Sequence, residues 1–506
     1  MLEMTIPIKR MLVANRGEIA VRVIRACTEL GVESVALFSD PDRDALHVRK
    51  ATFSVHIGLA DPSDSYLNVE KIIGVAREYK CDAVHPGYGF LSENADFAKA
   101  VVDAGLVWIG PSPEAIISMG SKTGARAVMT AAGVPVVPGS TVPNNDPEAL
   151  LRVANEVGFP VMLKASAGGG GKGMRLVALE SELLGAFTAA KSEALKSFGD
   201  DTVYIEKAII NPKHVEVQVL GDSFGTVVHL YDRDCSVQRR HQKVIEEAPC
   251  PVLPESTRTK MCDVAVRAAK AVDYVGAGTI EFLLGADGEF YFLEMNTRLQ
   301  VEHPISEMIT GIDLCRAQIE VACGAPLSFS QEEISVNGHA MEFRIYAEDP
   351  SAGFLPAPGR ILVYDEPGGP WVRVDSGVYA GAVVPIFYDP MVAKLIVWGR
   401  NRGECIERSR RALSEFKITG IKTPIGFYKH VLKDPKFISG EYNTSFITKE
   451  MLSSFATRSS VIEAVIIAAI EQYESDHKPV VNGSGSVQDS EWKRHGRLSA
   501  VGRNIR

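Results

Sequence analysis

The sequence predicts a fold of the α/β and α+β classes, with an N-terminal parallel-sheet domain, a mobile lid and a C-terminal mixed α/β domain. Before residue 110, short apolar runs alternate with segments of helical periodicity, as in a parallel sheet covered by helices. A compact unit with a run of glycines follows a Pro-rich segment, and strand patterns dominate after residue 212. With 506 residues, the chain is long enough for about three domains.

The N-terminal elements follow a β-α-β order. Apolar runs predict strands at 11–14, 35–38, 83–85 and 107–109. Apolar residues three and four positions apart predict helices over 19–30 and 67–79. Two loops, Asn15–Glu18 and His85–Phe90, follow strands of this sheet at the edge where parallel sheets bind ligands. We expect this domain to span 1–120.

Three further segments follow the N-terminal domain. The Pro-rich stretch 134–147 predicts a hinge, and the small helix-and-strand unit after it is typical of a lid, so we assign 121–210 to hinge and lid. The strand-rich part spans 211–452. The tail, 453–506, contains an apolar helical run at 461–473, a Gly-Ser linker at 482–486 and a basic end. This tail either docks a partner subunit or packs back on the body.

The composition argues against several classes of protein. The 63 acidic residues outnumber the 54 basic ones, giving a net charge of −9 that disfavours general binding to nucleic-acid backbones. The eight cysteines include no C-x-x-C pair, so they indicate neither a disulfide framework nor a zinc ribbon. The sequence shows neither a signal-peptide stretch nor an apolar window of ~18 residues. We expect a cytoplasmic protein that binds neither nucleic acid nor membrane.

A hairpin around Asp287-Gly288 carries the most informative acidic residues. Asp-Gly between two apolar runs favours a two-residue turn, which places Glu281 opposite Glu294, with Asn296 on the same face. Opposed carboxylates repel each other unless a cation lies between them. Two carboxylates and an amide oxygen suit Mg²⁺ or Mn²⁺ carrying the phosphates of a nucleotide. The alternative is a pair of solvent-facing carboxylates on an exposed strand.

The polar residues after the hairpin predict an anion site. Arg298, Gln300 and Glu302 alternate with the apolar Leu299 and Val301, so they continue the acidic face if the chain stays extended. A guanidinium and a carboxylate beside a metal suit an anion and a general base. The alternative is an ordinary Arg–Glu surface pair.

A run of glycines at 168–171 and 173 follows the strand that contains Lys164. Glycines let backbone N–H groups close on phosphate. The run is not a Walker A loop, because Ser166 and Gly173 fill its two deciding positions. A strand rather than a helix is predicted after the run, which disfavours a dinucleotide site and favours a flap over the phosphates of a nucleotide.

A second basic segment lies at 232–243. We expect Arg239, His241 and Lys243 to share one strand face, where clustered cations suit phosphate or bicarbonate. The alternative is a solvated basic strand. Cys235 in the same segment is expected to be a packed thiol.

Five motifs together resemble biotin carboxylase, the ATP-grasp component of biotin-dependent carboxylases. They are ANRGEIA (14–20), HPGYGFLSEN (85–94), KASAGGGGKGM (164–174), RRHQKVIEEAP (239–249) and EMNTRLQVEHP (294–304). The resemblance covers roughly residues 8 to 450 and implies an ATP-grasp fold with a Rossmann-like N-terminal domain. It also implies an ATP-dependent ligase, in which ATP, Mg²⁺ (or Mn²⁺) and bicarbonate form carboxyphosphate and N1′ of biotin captures the CO₂ released.

The resemblance implies a role for each matching residue. The residues that would bind ATP are Lys122, Lys164, Gly170, Gly171, Glu206, Lys207, Ala208, Ile209, His214, Gln238, His241, Glu281 and Glu294. The metal ligands would be Glu281, Glu294 and Asn296, and the bicarbonate contacts would be Lys243, Arg298, Gln300, Val301 and Glu302. The catalytic residues would be Lys243, Arg298, Glu302 and Arg344. Glu302 would deprotonate bicarbonate, and Arg344 would stabilise enolate-like biotin.

The resemblance further implies partners. Arg25, Glu29 and Arg373 fall where homodimer contacts lie in the family. The chain contains no Met-Lys-Met attachment motif, so we expect a stand-alone subunit that works with a separate biotin carboxyl carrier protein and a carboxyltransferase subunit. The final acceptor stays open between acetyl-CoA, as in fatty acid biosynthesis, propionyl-CoA, another acyl-CoA and pyruvate. The alternatives are a carbamoyl-phosphate-forming ligase, a non-catalytic nucleotide-binding subunit and a dinucleotide-dependent oxidoreductase.

Overall fold

A parallel sheet forms the N-terminal part of the protein. The computed structural model describes residues 7–140, 146–165 and 174–476, and it leaves out the side chains of 122, 123, 198, 458–467, 471 and 474–476. The N-terminal elements are β1 (Arg10–Val13), α1 (Gly17–Glu29), β2 (Glu33–Ser39), α2 (Leu46–Lys50), β3 (Phe53–Gly58), α3 (Val69–Glu78), β4 (Ala83–His85), α4 (Ala95–Asp103), β5 (Val107–Trp108), α5 (Pro113–Gly120) and α6 (Lys122–Ala131). The five strands pair in parallel, which confirms the predicted parallel sheet, and their order is β3-β2-β1-β4-β5. Strand β3 was not predicted from the sequence. Helix α1 buries Ile19, Val23 and Cys27 against this sheet, because residues three and four positions apart share one helix face.

The predicted lid contains a small antiparallel sheet. Its elements are α7 (Pro147–Val157), β6 (Val161–Ala165), β7 (Met174–Val177), α8 (Leu183–Phe198) and β8 (Val203–Lys207), with strand order β7-β6-β8. The two helices pack apolar side chains against it, among them Leu150 and Phe187. A strand does follow the glycine run, as predicted. The glycines themselves, including Gly170 and Gly171, lie outside the described residues.

An eight-stranded antiparallel sheet dominates the rest of the chain. The elements from 213 onward are β9 (Lys213–Gly221), β10 (Val227–Arg239), β11 (Gln242–Ala248), α9 (Glu255–Lys270), β12 (Gly276–Leu284), β13 (Phe290–Asn296), α10 (His303–Thr310), α11 (Leu314–Ala322), β14 (His339–Tyr346), β15 (Glu348–Asp349), β16 (Leu355–Pro356), β17 (Gly359–Arg360), β18 (Val363–Asp365), β19 (Val372–Ser376), β20 (Val383–Val384), β21 (Met391–Gly399), α12 (Arg402–Glu415), β22 (Lys417–Thr419), α13 (Ile425–Val431), α14 (Pro435–Ser439) and α15 (Lys449–Asp476). The large sheet has the order β13-β12-β9-β10-β11-β14-β21-β19. Its centre carries polar side chains on one face and apolar ones on the other, because successive strand residues alternate between faces.

The contacts divide the chain into two units, with the boundary after Phe455. The sheets and the site described below belong to the first unit. The second unit begins within α15, which includes the apolar run at 461–473. The Gly-Ser segment 482–486 and the basic end of the sequence lie outside the described residues. Within the described ranges, no helix is both long and apolar enough to span a membrane.

Candidate active site

A cavity of about 710 Å³ lies between the small sheet and the polar face of the large sheet. It is lined by every residue to which the resemblance assigns a binding or catalytic role and whose side chain the structure describes. These are Lys164, Glu206, Lys207, Ala208, Ile209, His214, Gln238, His241, Lys243, Glu281, Glu294, Asn296, Arg298, Gln300, Val301, Glu302 and Arg344. Lys122 opens α6, but its side chain is not described, and Gly170 and Gly171 lie outside the described residues. The structure therefore brings predicted residues from eight strands and three loops into one cavity.

The two acidic hairpin residues are cross-strand partners, as predicted, although the predicted two-residue turn is wrong. Near the turn, Leu284 pairs with Phe290 and Gly285 N–H donates to Glu289 O, so the loop is one residue longer than expected. A bulge then restores the register, because Glu281 pairs with Glu294 whereas the next residue, Phe282, pairs with Phe292. This leaves one extra residue on β13, which brings the two carboxylates opposite each other.

Glu281 forms the centre of a buried polar network. Its Oε1 accepts hydrogen bonds from Lys243 Nζ at 2.8 Å and from Asn296 Nδ2 and Gln300 Nε2 at 2.9 Å. Its Oε2 lies 2.9 Å from Nε2 of His214. Burial alone would raise the pKa of Glu281, but the charges of Lys243 and His214 outweigh burial and hold that pKa well below its usual range. The carboxylate is therefore charged and compensated by cations.

The donor set of the hairpin fits a hard divalent cation. Glu281 and Glu294 are opposed on neighbouring strands, and Glu294 is exposed to the cavity. Asn296 Oδ1 accepts a hydrogen bond from Arg298 Nη2 at 2.8 Å, so the amide oxygen lies beside the same carboxylates. Two carboxylates and an amide oxygen are ligands typical of Mg²⁺ or Mn²⁺.

Sequence reasoning missed Glu216, which belongs to the same network. Glu216 is fully buried on β9, and its Oε2 accepts from Lys243 Nζ at 2.6 Å. One oxygen of Glu216 lies close to ligand atoms of both His214 and Glu281, so these three residues form a second group that could hold a metal. The alternation of polar residues 214, 216 and 218 with valines 215, 217 and 219 is a strand-face signal that could have identified it.

Glu302 lies between two cations at the far end of the cavity. Its Oε1 accepts from Lys243 Nζ at 2.7 Å, and its Oε2 accepts from Arg344 Nη2 at 3.0 Å. Burial would raise the pKa of Glu302, but the charges of Lys243, Arg344 and Arg233 hold that pKa well below its usual range. Glu302 is therefore ionised at neutral pH and able to accept a proton.

The chain does not stay extended through this segment. Strand β13 ends at Asn296, and Glu302 immediately precedes α10 rather than lying on a strand. Arg298 turns its Nε toward Glu93 of the N-terminal domain, at 2.8 Å from Oε2. Gln300 nevertheless reaches Glu281, so the turn keeps the predicted residues on the cavity wall.

A fully buried arginine, which the sequence analysis did not identify, orients the side chains of this cavity wall. Arg233 on β10 donates to Glu216 Oε1 at 2.6 Å and to Gln300 Oε1 at 2.7 Å. It also donates to the side chains of Gln218, Ser306 and Thr279. Arginine suits this position because its planar guanidinium donates in several fixed directions.

The predicted common face of Arg239, His241 and Lys243 is wrong. Strand β10 ends at Arg239, β11 starts at Gln242, and Gln238 pairs with Lys243. Arg240 and His241 form the connecting turn with φ of 49° and 67°, a conformation rarely adopted by residues other than glycine. His241 and Lys243 still line the cavity, whereas Arg239 donates to the carbonyl of Gly353 outside it.

The end of the cavity beside the small sheet combines cations with apolar wall residues. Lys164 Nζ lies 2.5 Å from Glu206 Oε2, and Arg126 Nη1 lies 2.6 Å from Glu206 Oε1. Lys207 donates to the carbonyls of Gly158 and Phe159. Apolar and aromatic side chains complete this wall, namely Val136, Met162, Tyr204, Leu283 and Phe292. Arg126, like Arg233, was not identified from the sequence.

The three residues predicted at a homodimer contact lie together, away from the first cavity. Arg25, Glu29 and Arg373 line a separate cavity of about 390 Å³. Arg373 Nη1 donates to Glu307 Oε2 at 2.7 Å.

Cys235 is fully buried, and burial holds the pKa of its thiol well above the usual range, which agrees with a packed thiol. All eight cysteines are free.

Comparison with known proteins identifies the family. Residues 7–116 match the family model "Biotin carboxylase, N-terminal domain", 121–330 match "Carbamoyl-phosphate synthase L chain, ATP binding domain", and 342–449 match "Biotin carboxylase C-terminal domain". Biotin carboxylase 1 of Bacillus subtilis (strain 168) is 52% identical over 441 residues, which cover 87% of this chain and 98% of the relative.

Solved structures agree with these matches. A biotin carboxylase–β,γ-ATP complex from Campylobacter jejuni superposes with a TM-score of 0.84 at 50% identity, covering 87% of this chain and 98% of that one. The biotin carboxylase domain dimer of Hydrogenobacter thermophilus 2-oxoglutarate carboxylase, in complex with MgADP, ADP and bicarbonate, gives 0.82 at 47% identity, covering 87% and 97%. With its ATP-grasp fold and its cavity of opposed carboxylates and buried cations, the chain is an ATP-dependent ligase and belongs to the biotin carboxylase family.

Proposed function

We propose that the cavity binds ATP, bicarbonate and biotin together and carboxylates N1′ of biotin through carboxyphosphate. The observation that carries this proposal is the contact of Glu302 with both Lys243 and Arg344, at 2.7 and 3.0 Å. This contact supports the proposal, because a carboxylate, an ammonium group and a guanidinium meet at one end of a cavity whose other end suits a nucleotide. That combination serves the activation of bicarbonate and the capture of its carbon by a second substrate.

The nucleotide end holds ATP. Lys164 and Arg126 form ion pairs with Glu206 in the substrate-free cavity and supply positive charge for the phosphates. The apolar wall around Met162 and Phe292 suits the adenine ring. Lys122 and the glycines at 170 and 171 are proposed to complete phosphate binding. Glu281, Glu294 and Asn296 would hold Mg²⁺ or Mn²⁺, which neutralises phosphate charge and orients the terminal phosphoryl group.

Bicarbonate is proposed to bind between Lys243, Arg298 and Gln300, with the main chain of Val301 beside it. Glu302 removes the proton of bicarbonate as one of the anion's oxygens attacks the γ-phosphorus. The bond between the γ-phosphorus and the β,γ-bridging oxygen breaks, which releases ADP and leaves carboxyphosphate. In the substrate-free cavity, Lys243 and Arg344 keep Glu302 a weak base. A bound anion shares the charge of Lys243, which raises the basicity of Glu302 when a proton has to be taken.

Arg344 is proposed to stabilise the negative charge on biotin. Carboxyphosphate collapses to CO₂ and phosphate, the released phosphate takes the proton of N1′, and N1′ then bonds to the carbon of CO₂. Glu246 Oε1 holds Arg344 Nε at 2.6 Å and Glu302 holds Nη2, which leaves N–H donors of the guanidinium for the ureido oxygen of biotin.

The partners are proposed on the same basis. A biotin carrier protein would present biotin to Arg344, and a carboxyltransferase would pass the carboxyl group to an acceptor that this chain does not select. A homodimer is supported by the dimeric solved relative and by the second cavity, which contains Arg25, Glu29 and Arg373. Light scattering at micromolar concentration tests it, and a monomer mass would contradict it.

The activity is tested with the purified chain, ATP and Mg²⁺, with and without bicarbonate and free biotin. We expect ATP hydrolysis that requires bicarbonate and is strongly stimulated by biotin. Turnover indifferent to biotin would indicate another ATP-grasp ligase, and no turnover would favour a regulatory nucleotide-binding subunit. The Glu302→Gln variant is the control for contaminating hydrolases, because it keeps the nucleotide end intact.

A further inference from the structure

A fully buried lysine lies behind the bicarbonate residues. Lys394 is on β21, where it is directly paired with Arg344 of β14 and with Asp375 of β19. It does not line the cavity. Two cations opposed on neighbouring strands repel each other, so Lys394 beside Arg344 is unfavourable unless other contacts compensate.

The main contact of Lys394 is with the backbone of the cavity wall. Its Nζ donates to the carbonyl oxygen of Val301 at 2.7 Å. Val301 lies between Gln300 and Glu302, and all three residues line the cavity. This hydrogen bond is therefore one of the contacts that hold the turn from which both neighbouring side chains reach their partners, and it is the one that comes from β21.

The counter-charges of Lys394 come from the N-terminal domain and from the neighbouring strand β19. Oε2 of Glu18, in the first turn of α1, lies 3.4 Å from Nζ, and Oδ2 of Asp375 lies 4.0 Å from it. Burial raises the pKa of Glu18 to about 7, although the charge of Lys394 lowers it. Glu18 ends the Asn15–Glu18 loop, which the sequence marks as a candidate ligand loop and which the proposed reaction does not use.

The loop is held closely against this lysine. A Cβ at Gly377, just after β19, would lie 2.6 Å from the backbone nitrogen of Glu18, so only glycine permits the approach. Asn15 Nδ2 donates to the carbonyls of Pro86 and Tyr88 at 2.6 and 2.8 Å, which ties the two candidate loops together. The second loop also reaches the lysine, because Lys394 Nζ lies 5.9 Å from the centre of the Tyr88 ring.

We propose that Lys394, with Glu18 as its counter-charge, is a positioning residue for the bicarbonate step, because it fixes the Val301 carbonyl and thereby the placement of Gln300 and Glu302. The inference rests on the proposed function. A buried ion pair contributes little net stability compared with apolar residues of similar volume. The arrangement is better explained by its geometry, since a misplacement of about 1 Å at a reacting group can lower the rate about 10²-fold.

The test compares Lys394→Met and Lys394→Arg with the wild-type protein in biotin-stimulated ATP hydrolysis. We expect Lys394→Met to raise the KM for bicarbonate about tenfold or more and to lower kcat about 10–100-fold, with the KM for ATP changed less than about twofold. Lys394→Arg, which can still donate to Val301, should recover most of the loss. Glu18→Gln keeps the lysine and should shift the same parameters in the same direction by a smaller factor.

The matched control is Arg402→Met, which breaks a buried ion pair with Glu247 away from the cavity. It should lower the melting temperature without changing the KM for bicarbonate. If Lys394→Met does not fold, Lys394→Arg and Glu18→Gln decide the question. An unchanged KM for bicarbonate in the folded variants, or the same change in Arg402→Met, would overturn the inference. A wild-type protein without bicarbonate-dependent turnover would instead overturn the proposed function.

Discussion

Replacing Glu302 by glutamine removes the proposed base while keeping the shape of the side chain. The carboxylate accepts hydrogen bonds from Lys243 at 2.7 Å and from Arg344 at 3.0 Å. Lys243 keeps Glu216 and Glu281 as partners after the change, and Arg344 keeps Glu246. Both cations therefore stay paired, and we expect the variant to fold.

The size of each effect follows from these contacts. A hydrogen bond to a charged group contributes about 1.5–3 kcal/mol, and the remaining partners of both cations limit the expected loss of unfolding free energy to about 1–3 kcal/mol. Loss of a general base lowers the rate about 10²–10⁴-fold, which corresponds to about 3–5 kcal/mol in the activation free energy. Activity should thus fall far more than stability.

The assay measures bicarbonate-dependent ATP hydrolysis with free biotin, together with urea unfolding. Glu247→Gln is the matched control, because Glu247 is equally buried and pairs with Arg402 and His339, both at 2.6 Å, but does not line the cavity. The control should lose similar stability and keep kcat within about threefold. An active Glu302→Gln variant, or a control that loses as much activity, would refute the role of Glu302 as the base.

Four other outcomes are expected. Glu294→Gln should raise the Mg²⁺ concentration for half-maximal activity about 10–100-fold in a Mg²⁺ titration. Loss of a residue that only hydrogen-bonds to a metal ligand already lowers metal affinity by about this factor. Arg344→Met should lower kcat with free biotin about 10²–10³-fold without changing the KM for ATP, measured in steady-state kinetics. Phe282→Ala removes a fully buried ring and should lower the free energy of unfolding by about 3–5 kcal/mol in urea. The pKa of Glu18 is raised by burial from 4.5 to about 7, so the unfolded chain loses this proton first. The wild-type stability should therefore fall by about 3 kcal/mol between about pH 4.5 and 7, and unfolding at pH 5 and 8 should show a smaller fall in Glu18→Gln.

The N-terminal sheet and the lid elements could be predicted from local patterns. Their strands are short apolar runs, and their helices have regular apolar spacing, as in α1 and α7. The predicted strands at 11–14, 83–85 and 107–109 agree with β1, β4 and β5 to within one residue. The domain boundaries stay predictions.

Only part of the site could be predicted from the sequence, because its geometry depends on features that a local pattern does not specify. The Glu281–Glu294 pairing is right only because a bulge compensates for a loop one residue longer than Asp-Gly suggests. The turn at Arg240 and His241 has positive φ without the Asn or Gly that usually marks such turns. Arg233 was missed because its partners come from four distant segments of the chain.

The central claim is that bicarbonate, and not water, attacks the γ-phosphate of ATP in this cavity. It is tested most directly by turnover in ¹⁸O-labelled bicarbonate and unlabelled water with free biotin, followed by mass analysis of the phosphate. If bicarbonate is the nucleophile, the oxygen that bonds to phosphorus stays there when carboxyphosphate collapses, and each phosphate carries one labelled oxygen. Unlabelled phosphate would show that water is the nucleophile and would contradict the account.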